Sequence, residues 1–112
     1  MNYSIATTDD FEQNFKRLFK KYHSLKSDLK GFVKELKDNP TMGDNLGDSI
    51  RKVRLAIASK NKGKSGGARI ITCNVLIDKT NATIYLLTIY DKGEQTNISV
   101  RKIEALKRRN GL

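Results

Sequence analysis

The sequence predicts an α+β fold in which a small antiparallel sheet carries helices on one side. Three observations lead to this prediction. Apolar residues recur at helical spacing up to Pro40, they alternate with a period of two after Ser49, and the helix-stopping pair Asn110-Gly111 lies near the end. The predicted order is β-α-α-β-β-β-α. A chain of 112 residues suits one domain, residues 1–112, with one modest core.

The N-terminal part is predicted to form a short strand, residues 3–7, and then an α-hairpin. Asp9 and Glu12 have the spacing of a capping box, which starts the first helix. The second helix begins at Ser24 or Ser27 and stops at Asn39-Pro40. The apolar stripe of these helices is interpreted as core packing, and it comprises Phe11, Phe15, Leu18, Phe19, Tyr22, Leu25, Leu29, Phe32, Val33 and Leu36.

The C-terminal part is predicted to contribute most of the sheet. Residues 41–49 are rich in turn formers and are predicted to be a loop. Apolar residues at Ile50, Val53 and Leu55 then indicate a strand with one irregularity near its start. The elements that follow are a hairpin of residues 68–77 and 82–90, with its turn at 78–81, and a helix that starts near Asn97 or Ser99.

The positive charge of the chain lies in its C-terminal part. The net charge is +10, and residues 1–48 hold 8 Lys/Arg and 8 Asp/Glu, so residues 49–112, with 14 and 4, carry all of it. Between Asp48 and Asp78 there are seven cations and no acid. A one-signed run of this length favours a polyanionic partner. Nucleic acid is the preferred partner, with an acidic protein or an anionic membrane surface as alternatives.

Residues 60–69, KNKGKSGGAR, contain the Gly-Lys-Ser end of a nucleotide-binding P-loop. The full motif requires a glycine at position 58, where this chain has Ala58, and it must open a helix. Here β-branched Ile70 and Ile71 indicate a strand instead. The segment is therefore interpreted as a cationic connection that grips phosphates along a backbone. The predicted nucleic-acid-binding residues are Lys52, Arg54, Lys60, Lys62, Lys64 and Arg69.

Other chemistries have little support in the sequence. The single cysteine, Cys73, lies in an apolar run and is expected to be buried, so no internal disulfide forms. The single histidine, His23, is expected at a helix end. No cluster of His, Cys and acids has metal-ligand spacing, so neither a metal nor another cofactor is expected. Without a signal peptide or a membrane-spanning apolar stretch, a cytoplasmic location is expected and no membrane association.

Two segments resemble one protein family. The run "GDSIRKVRLAIASKNKGKSGGARII" and then "TIYLLTIYDKGEQTNIS" are similar to the RelE/ParE superfamily of type II toxin–antitoxin toxins, in its HigB-like branch. The resemblance covers residues 43 to about 106. It implies an α-hairpin and a C-terminal helix that flank a curved antiparallel sheet. It also implies a ribosome-dependent endoribonuclease that cuts mRNA and is inhibited by a cognate antitoxin.

The resemblance also implies which residues act. RNA cleavage without a metal needs a base for the 2′-OH, cations for the charge on the phosphoryl group and an acid for the leaving oxygen. By the motif match, Arg69 would stabilise the phosphoryl charge, and a loop lysine could act as base or acid. The second cluster lies in "YDKGE", where Tyr90 would stack or orient a nucleotide. The residues implied in catalysis are Arg69, Lys64, Lys62, Glu94, Tyr90 and Lys92.

Two other functions stay open on the sequence. The ParE-like branch of the superfamily poisons DNA gyrase and does not cut RNA. A non-catalytic module would bind nucleic acid with strong salt dependence and no cleavage. Its weak point is that only Tyr85 and Tyr90 are available for base stacking in the basic half.

Overall fold

The structure, a computed structural model, describes residues 1–60, Gly63 and residues 66–112. The predictions for Lys62 and Lys64 fall outside the described residues. No helix in this described part is long and apolar enough to cross a bilayer. Apart from one 3₁₀ turn, Ala58–Lys60, the elements are β1 (Asn2–Thr7), α1 (Asp9–Lys21), α2 (Leu25–Asp38), β2 (Asp44–Gly47), β3 (Ile50–Leu55), β4 (Ala68–Leu76), β5 (Asn81–Asp91) and α3 (Val100–Arg109).

The strands form one mixed sheet in the order β1-β5-β4-β3-β2. Neighbouring strands are antiparallel except β1, which pairs with β5 in parallel, with Asn2 opposite Asn81 and Thr7 opposite Leu86. The predicted class, α+β with an N-terminal α-hairpin and a C-terminal helix, is confirmed. The parallel edge pair was not predicted, because β1 and β5 are far apart in the sequence.

Helices cover both faces of the sheet, so the prediction that they lie on one side is wrong. Consecutive residues of a strand point to opposite faces. Ile70 packs with the helices α1 and α2, whereas Ile71 packs with Ile103 and Leu106 of α3. Both faces of the central strands are therefore buried. These strands read as continuous apolar runs, which do not show the face that a given helix covers.

The same arrangement explains the sequence of β3. Its pairing with β4 is regular from Ile50, opposite Cys73, to Leu55, opposite Ala68. Ile50 belongs to the core on the α3 side, whereas Val53 belongs to the core on the side of α1 and α2. The pairing of β3 with β2 does have an irregularity, between Asn45 and Gly47, so the predicted irregularity near the start of the strand is found on its β2 side. Its apolar residues are divided between two cores, with Ile50 in one and both Val53 and Leu55 in the other.

The predicted loop at residues 41–49 contains a strand. The segment β2 pairs with the first half of β3, with Asp44 opposite Lys52, and all four of its residues are exposed. Asp48 and Ser49 have positive φ values of 49° and 63° in the tight reversal between the two strands. A short exposed edge strand has no apolar alternation, so its sequence resembles a loop.

The starts of α1 and α3 are set by hydroxyl side chains. Thr8, not Asp9 as predicted, is the N-cap of α1, and its Oγ1 accepts a hydrogen bond from the Phe11 amide at 3.0 Å. The predicted role of Glu12 also changes, because its carboxylate accepts from the Thr7 hydroxyl at 2.6 Å. The predicted start of α3 is confirmed, since Ser99 is its N-cap.

Candidate active site and nucleic-acid interface

Arg69 and Tyr90 lie side by side at one end of the central hairpin. They are opposite each other in the register of β4 and β5, and their exposed fractions are 6% and 4%. Arg69 Nη1 donates to the carbonyl of Ala68 at 3.1 Å. Burial raises the pKa of the Tyr90 hydroxyl, and the charge of Arg69 acts in the opposite direction. The structure thus brings together one residue from each of the two predicted clusters.

The Tyr90 hydroxyl oxygen is buried and has no hydrogen-bond partner within the described part of the chain. A buried hydroxyl without a partner costs roughly 1–3 kcal/mol. Such a group in a folded protein calls for an explanation, for example a catalytic role or an ordered water or ion. Among the described residues, the hydroxyl therefore has an unused hydrogen-bonding capacity next to Arg69.

Predicted phosphate-binding residues continue across the sheet from Arg69. Arg54 of β3 is directly opposite Arg69, and Lys52 lies two residues earlier on the same strand. Lys52 Nζ donates to Asn97 Oδ1 at 3.4 Å, which places it beside the segment that leads into α3. Two arginines directly opposite each other weaken a sheet. An anion bound beside them would offset this repulsion.

Lys60 has a different environment from the other predicted phosphate ligands. Its side chain is only 12% exposed, and Nζ donates to Asp91 Oδ1 at 2.6 Å. The carboxylate of Asp91 also accepts from the Tyr22 hydroxyl at 2.5 Å and from the Gly93 amide at 2.8 Å. Lys60 therefore lies inside a hydrogen-bonded cluster at the ends of α1 and β5.

Asp91 has a strongly lowered pKa. Burial by itself raises the pKa of this carboxyl, but the hydrogen bonds from Lys60, Tyr22 and Gly93 outweigh burial and bring the pKa to about 2. Asp91 is thus ionised at neutral pH although its side chain is 1% exposed. Asp91 was not among the site residues predicted from the sequence. A single acid that ends an apolar strand was the available signal.

The other two predicted catalytic residues of "YDKGE", Lys92 and Glu94, form hydrogen bonds or ion pairs with neighbouring groups. Lys92 Nζ donates to the carbonyl of Thr96 at 2.8 Å. Glu94 forms an ion pair with Arg17 at 3.1 Å and another with Lys21 at 3.6 Å, so it is bound to α1. Their catalytic roles stay predictions.

The cationic connection leads into a strand, as predicted, since β4 begins at Ala68. A side chain on Gly67 would place its Cβ 2.1 Å from the carbonyl oxygen of Leu55, so this position requires glycine. Among the described residues, no three His, Cys, Asp or Glu side chains group as metal ligands. His23 is exposed just after α1, and Cys73 is buried as predicted.

Known proteins share this architecture. A solved structure of the E. coli toxin RelE, an arginine-to-alanine double mutant in the free state, superposes with a TM-score of 0.60. The match covers 96% of this chain and 98% of that chain at 16% sequence identity, so it shows the fold alone. The sequence model of a family described as the RelE toxin of the RelE / RelB toxin-antitoxin system matches residues 11–111. This match spans nearly the whole chain, and the chain belongs to the RelE toxin family.

Proposed function

We propose that this protein is a toxin of a type II toxin–antitoxin system and cleaves mRNA on the ribosome. Family membership over residues 11–111 carries the proposal. The geometry supports it, because a buried arginine adjoins a row of cations on one sheet and lies opposite a buried tyrosine whose hydroxyl has no partner among the described residues. We place the chain in the HigB-like branch, on the segments quoted above.

The proposed reaction is an attack of the ribose 2′-oxygen on the adjacent phosphorus. The bond from phosphorus to the 5′-oxygen breaks, which leaves a 2′,3′-cyclic phosphate and a free 5′-hydroxyl. A base takes the 2′-proton and an acid supplies a proton to the leaving oxygen. No metal is needed for this step if cations stabilise the charge on the phosphoryl oxygens.

Arg69 is the proposed stabiliser of that charge. Its planar guanidinium can donate two parallel hydrogen bonds to phosphoryl oxygens, and its position on a central strand fixes its direction. Tyr90 is proposed to donate its hydroxyl, which has no partner in the described part of the chain, to the same nucleotide. The proposed proton-transfer groups are Lys62, Lys64, Lys92 and Glu94.

Lys52 and Arg54 are the proposed contacts to the RNA backbone next to the scissile phosphate. Both lie on β3, one strand away from Arg69. A cognate antitoxin is the proposed protein partner. Because the toxin carries a net charge of +10, we expect the antitoxin to present acidic groups to this surface. We propose a cytoplasmic location, where ribosomes and mRNA are available.

The first prediction concerns Arg69→Ala. In a reconstituted translation reaction with primer extension, wild type should give cuts at codon-dependent positions on ribosome-bound mRNA. Arg69→Ala should lower the cleavage rate by about 10²-fold or more, since it removes a charge-stabilising donor. The matched control is Lys79→Ala, which removes one cation at the turn at the other end of the hairpin. The control should cleave like wild type.

Circular dichroism must show that Arg69→Ala is folded. A folded variant that cleaves at the wild-type rate would reject the role of Arg69. Gyrase-dependent DNA breaks without mRNA cuts would reject the ribonuclease and favour the gyrase poison. Salt-sensitive binding of RNA with no cleavage, on ribosomes or free, would favour the non-catalytic module.

A further inference from the structure

The residues directly after Tyr90 bind both ends of the cationic connection. At the start of the connection, Lys60 Nζ donates to the carboxylate of Asp91 at 2.6 Å. At its end, the Lys92 amide donates to the carbonyl of Gly67 at 3.0 Å. The chain between these two points carries the predicted cations Lys62 and Lys64. Both ends of that segment are therefore fixed to the strand end that presents Tyr90.

The contact at the start of the connection is a buried ion pair with additional hydrogen bonds. The side chain of Asp91 is 1% exposed and that of Lys60 is 12% exposed, so solvent screens their ion pair little. The Tyr22 hydroxyl occupies the other carboxylate oxygen at 2.5 Å, and the aromatic ring lies 5.6 Å from Lys60 Nζ. Gly93 leaves room for this ammonium group, since a Cβ there would lie 3.2 Å from it.

The position of Asp91 in the sheet links this cluster to the reactive pair. Asp91 is opposite Ala68, and the next pair in the register is Tyr90 opposite Arg69. Neighbouring residues of a strand face opposite sides of the sheet, so the cluster lies directly behind the proposed site. A shift of Asp91 would be transmitted to Tyr90 through one peptide unit.

We propose that Asp91 is a positioning residue of the ribonuclease site, and that it acts through Lys60 to hold the start of the cationic connection against the strand end that carries Tyr90. Lys60 is then an internal clamp and not a phosphate ligand. This inference rests on the proposed function for its consequence in catalysis. The clamp itself depends only on the contacts of Asp91 and Lys60.

The test compares Asp91→Asn, Lys60→Met and the double variant Asp91→Asn/Lys60→Met. Each is assayed for mRNA cleavage at saturating ribosome concentration and for the ribosome concentration that gives half the maximal rate. Each single variant should lower the saturated rate by about 10- to 10²-fold, because a misplacement of catalytic groups by about 1 Å has effects of this size. The half-saturating concentration should change less than threefold.

The double variant should cleave no more slowly than the slower single variant, because both changes release the same contact. It also removes both buried charges at once. The double variant therefore avoids the unpaired buried charge that destabilises a single variant. Lys20→Met, an exposed change on α1, is the matched control and should cleave like wild type.

A second readout is independent of catalysis. Hydrogen exchange of the amides in residues 60–67 should become faster in Asp91→Asn and in the double variant, and stay unchanged in Lys20→Met. If wild type does not cleave mRNA, the proposed function fails. The exchange measurement alone then decides whether Asp91 holds the start of the connection through Lys60. Unchanged exchange in both folded variants overturns the clamp.

The alternative role of Lys60, as a phosphate ligand, predicts different effects of these substitutions on ribosome binding and cleavage. If Lys60 contacts phosphate, Lys60→Met should weaken ribosome binding and lower the salt slope by about one, while the saturated rate is kept. Asp91→Asn should then strengthen binding, because it frees a cation for the RNA. Either of these results would overturn the proposal.

Discussion

At the scale of single residues, Asp91 shows how the fold changes the chemistry of a side chain. Its two main donors, Lys60 and Tyr22, are 31 and 69 residues away in the sequence. A buried carboxylate is costly unless it is paired and hydrogen-bonded, and these donors fulfil that condition. The low pKa of Asp91 is therefore a property of the folded chain.

The low pKa predicts how the stability of the protein depends on pH. The folded value of about 2 lies below the ordinary value of 3.8, so the stabilisation from ionised Asp91 is complete above 3.8 and is lost as the pH falls towards 2. The difference between the two pKa values corresponds to about 2 kcal/mol. Urea unfolding of wild type and Asp91→Asn should show a constant difference from pH 7 to 5. That difference should shrink as the pH falls, and about two thirds of this amount should be lost at pH 2.5.

The wild-type curve supplies the internal control for this measurement, because other carboxyl groups titrate equally in both proteins. A difference between wild type and Asp91→Asn that stays constant down to pH 2.5 would contradict the role of the Asp91 charge. A difference that grows at low pH would contradict it as well.

At the scale of elements, the junction between β3 and β4 depends on a close approach of two backbones. Gly67 precedes β4 and lies against the last residue of β3, where a Cβ would meet the carbonyl of Leu55 at 2.1 Å. Its own carbonyl accepts from the Lys92 amide. The strands that carry Arg54, Arg69 and Tyr90 therefore meet at a point where a larger residue does not fit.

Gly67→Ala should destabilise the protein by about 2 kcal/mol or more, because both backbones must move apart. The matched control is Gly31→Ala in α2, where a Cβ would meet no atom within 4 Å. There, alanine should stabilise the protein by about 0.5–1 kcal/mol, through its higher helix propensity. Denaturant unfolding measures both values. Equal effects of the two substitutions on the free energy of unfolding would show that the close contact at Gly67 does not affect stability.

At the scale of the whole molecule, the charge is distributed by element. The residues up to Asp48 are neutral in sum, and the segment that builds β3, β4, β5 and α3 carries the net charge of +10. The α-hairpin supplies core on one face of the sheet, while the proposed site lies at the end of the central strands. The molecule thus combines a neutral supporting layer with a cationic sheet.

This distribution predicts the salt dependence of binding to ribosomes or single-stranded RNA. The logarithm of the binding constant should fall linearly with the logarithm of salt concentration, because bound phosphates release counterions. Lys52→Ala should reduce the slope by about one, since it removes one proposed phosphate contact. Lys79→Ala should leave the slope unchanged. A slope that is equal in wild type and Lys52→Ala would reject the Lys52 contact.

Most elements were predictable from the sequence because their signals are local. The stop at Pro40, the N-cap at Ser99 and the turn after Ile77 each act on a few neighbouring residues. The short strand β2 was missed, because its four residues are exposed and have no apolar alternation. The placement of α3 was wrong, because a strand buried on both faces gives no sign of the helix that covers each face.

The candidate site was predictable in part. Arg69 and Tyr90 lie in motifs that resemble one family, and their apposition follows once the hairpin register is known. Asp91 was missed and Lys60 was assigned only as a phosphate ligand. The ion pair between them joins the 3₁₀ turn after β3 to the end of β5, and no spacing in the sequence indicates such a contact.

The sequence by itself determined the α+β class, the concentration of positive charge after residue 48 and the identity of Arg69 as the leading catalytic candidate. These depend on composition, period and motif, which are properties of neighbouring residues. Only the tertiary structure decided the parallel pairing of β1, the helices on both faces and the burial of Lys60 against Asp91. Each of these brings together segments that are distant in the sequence, and their contact energies exist only when the chain is folded.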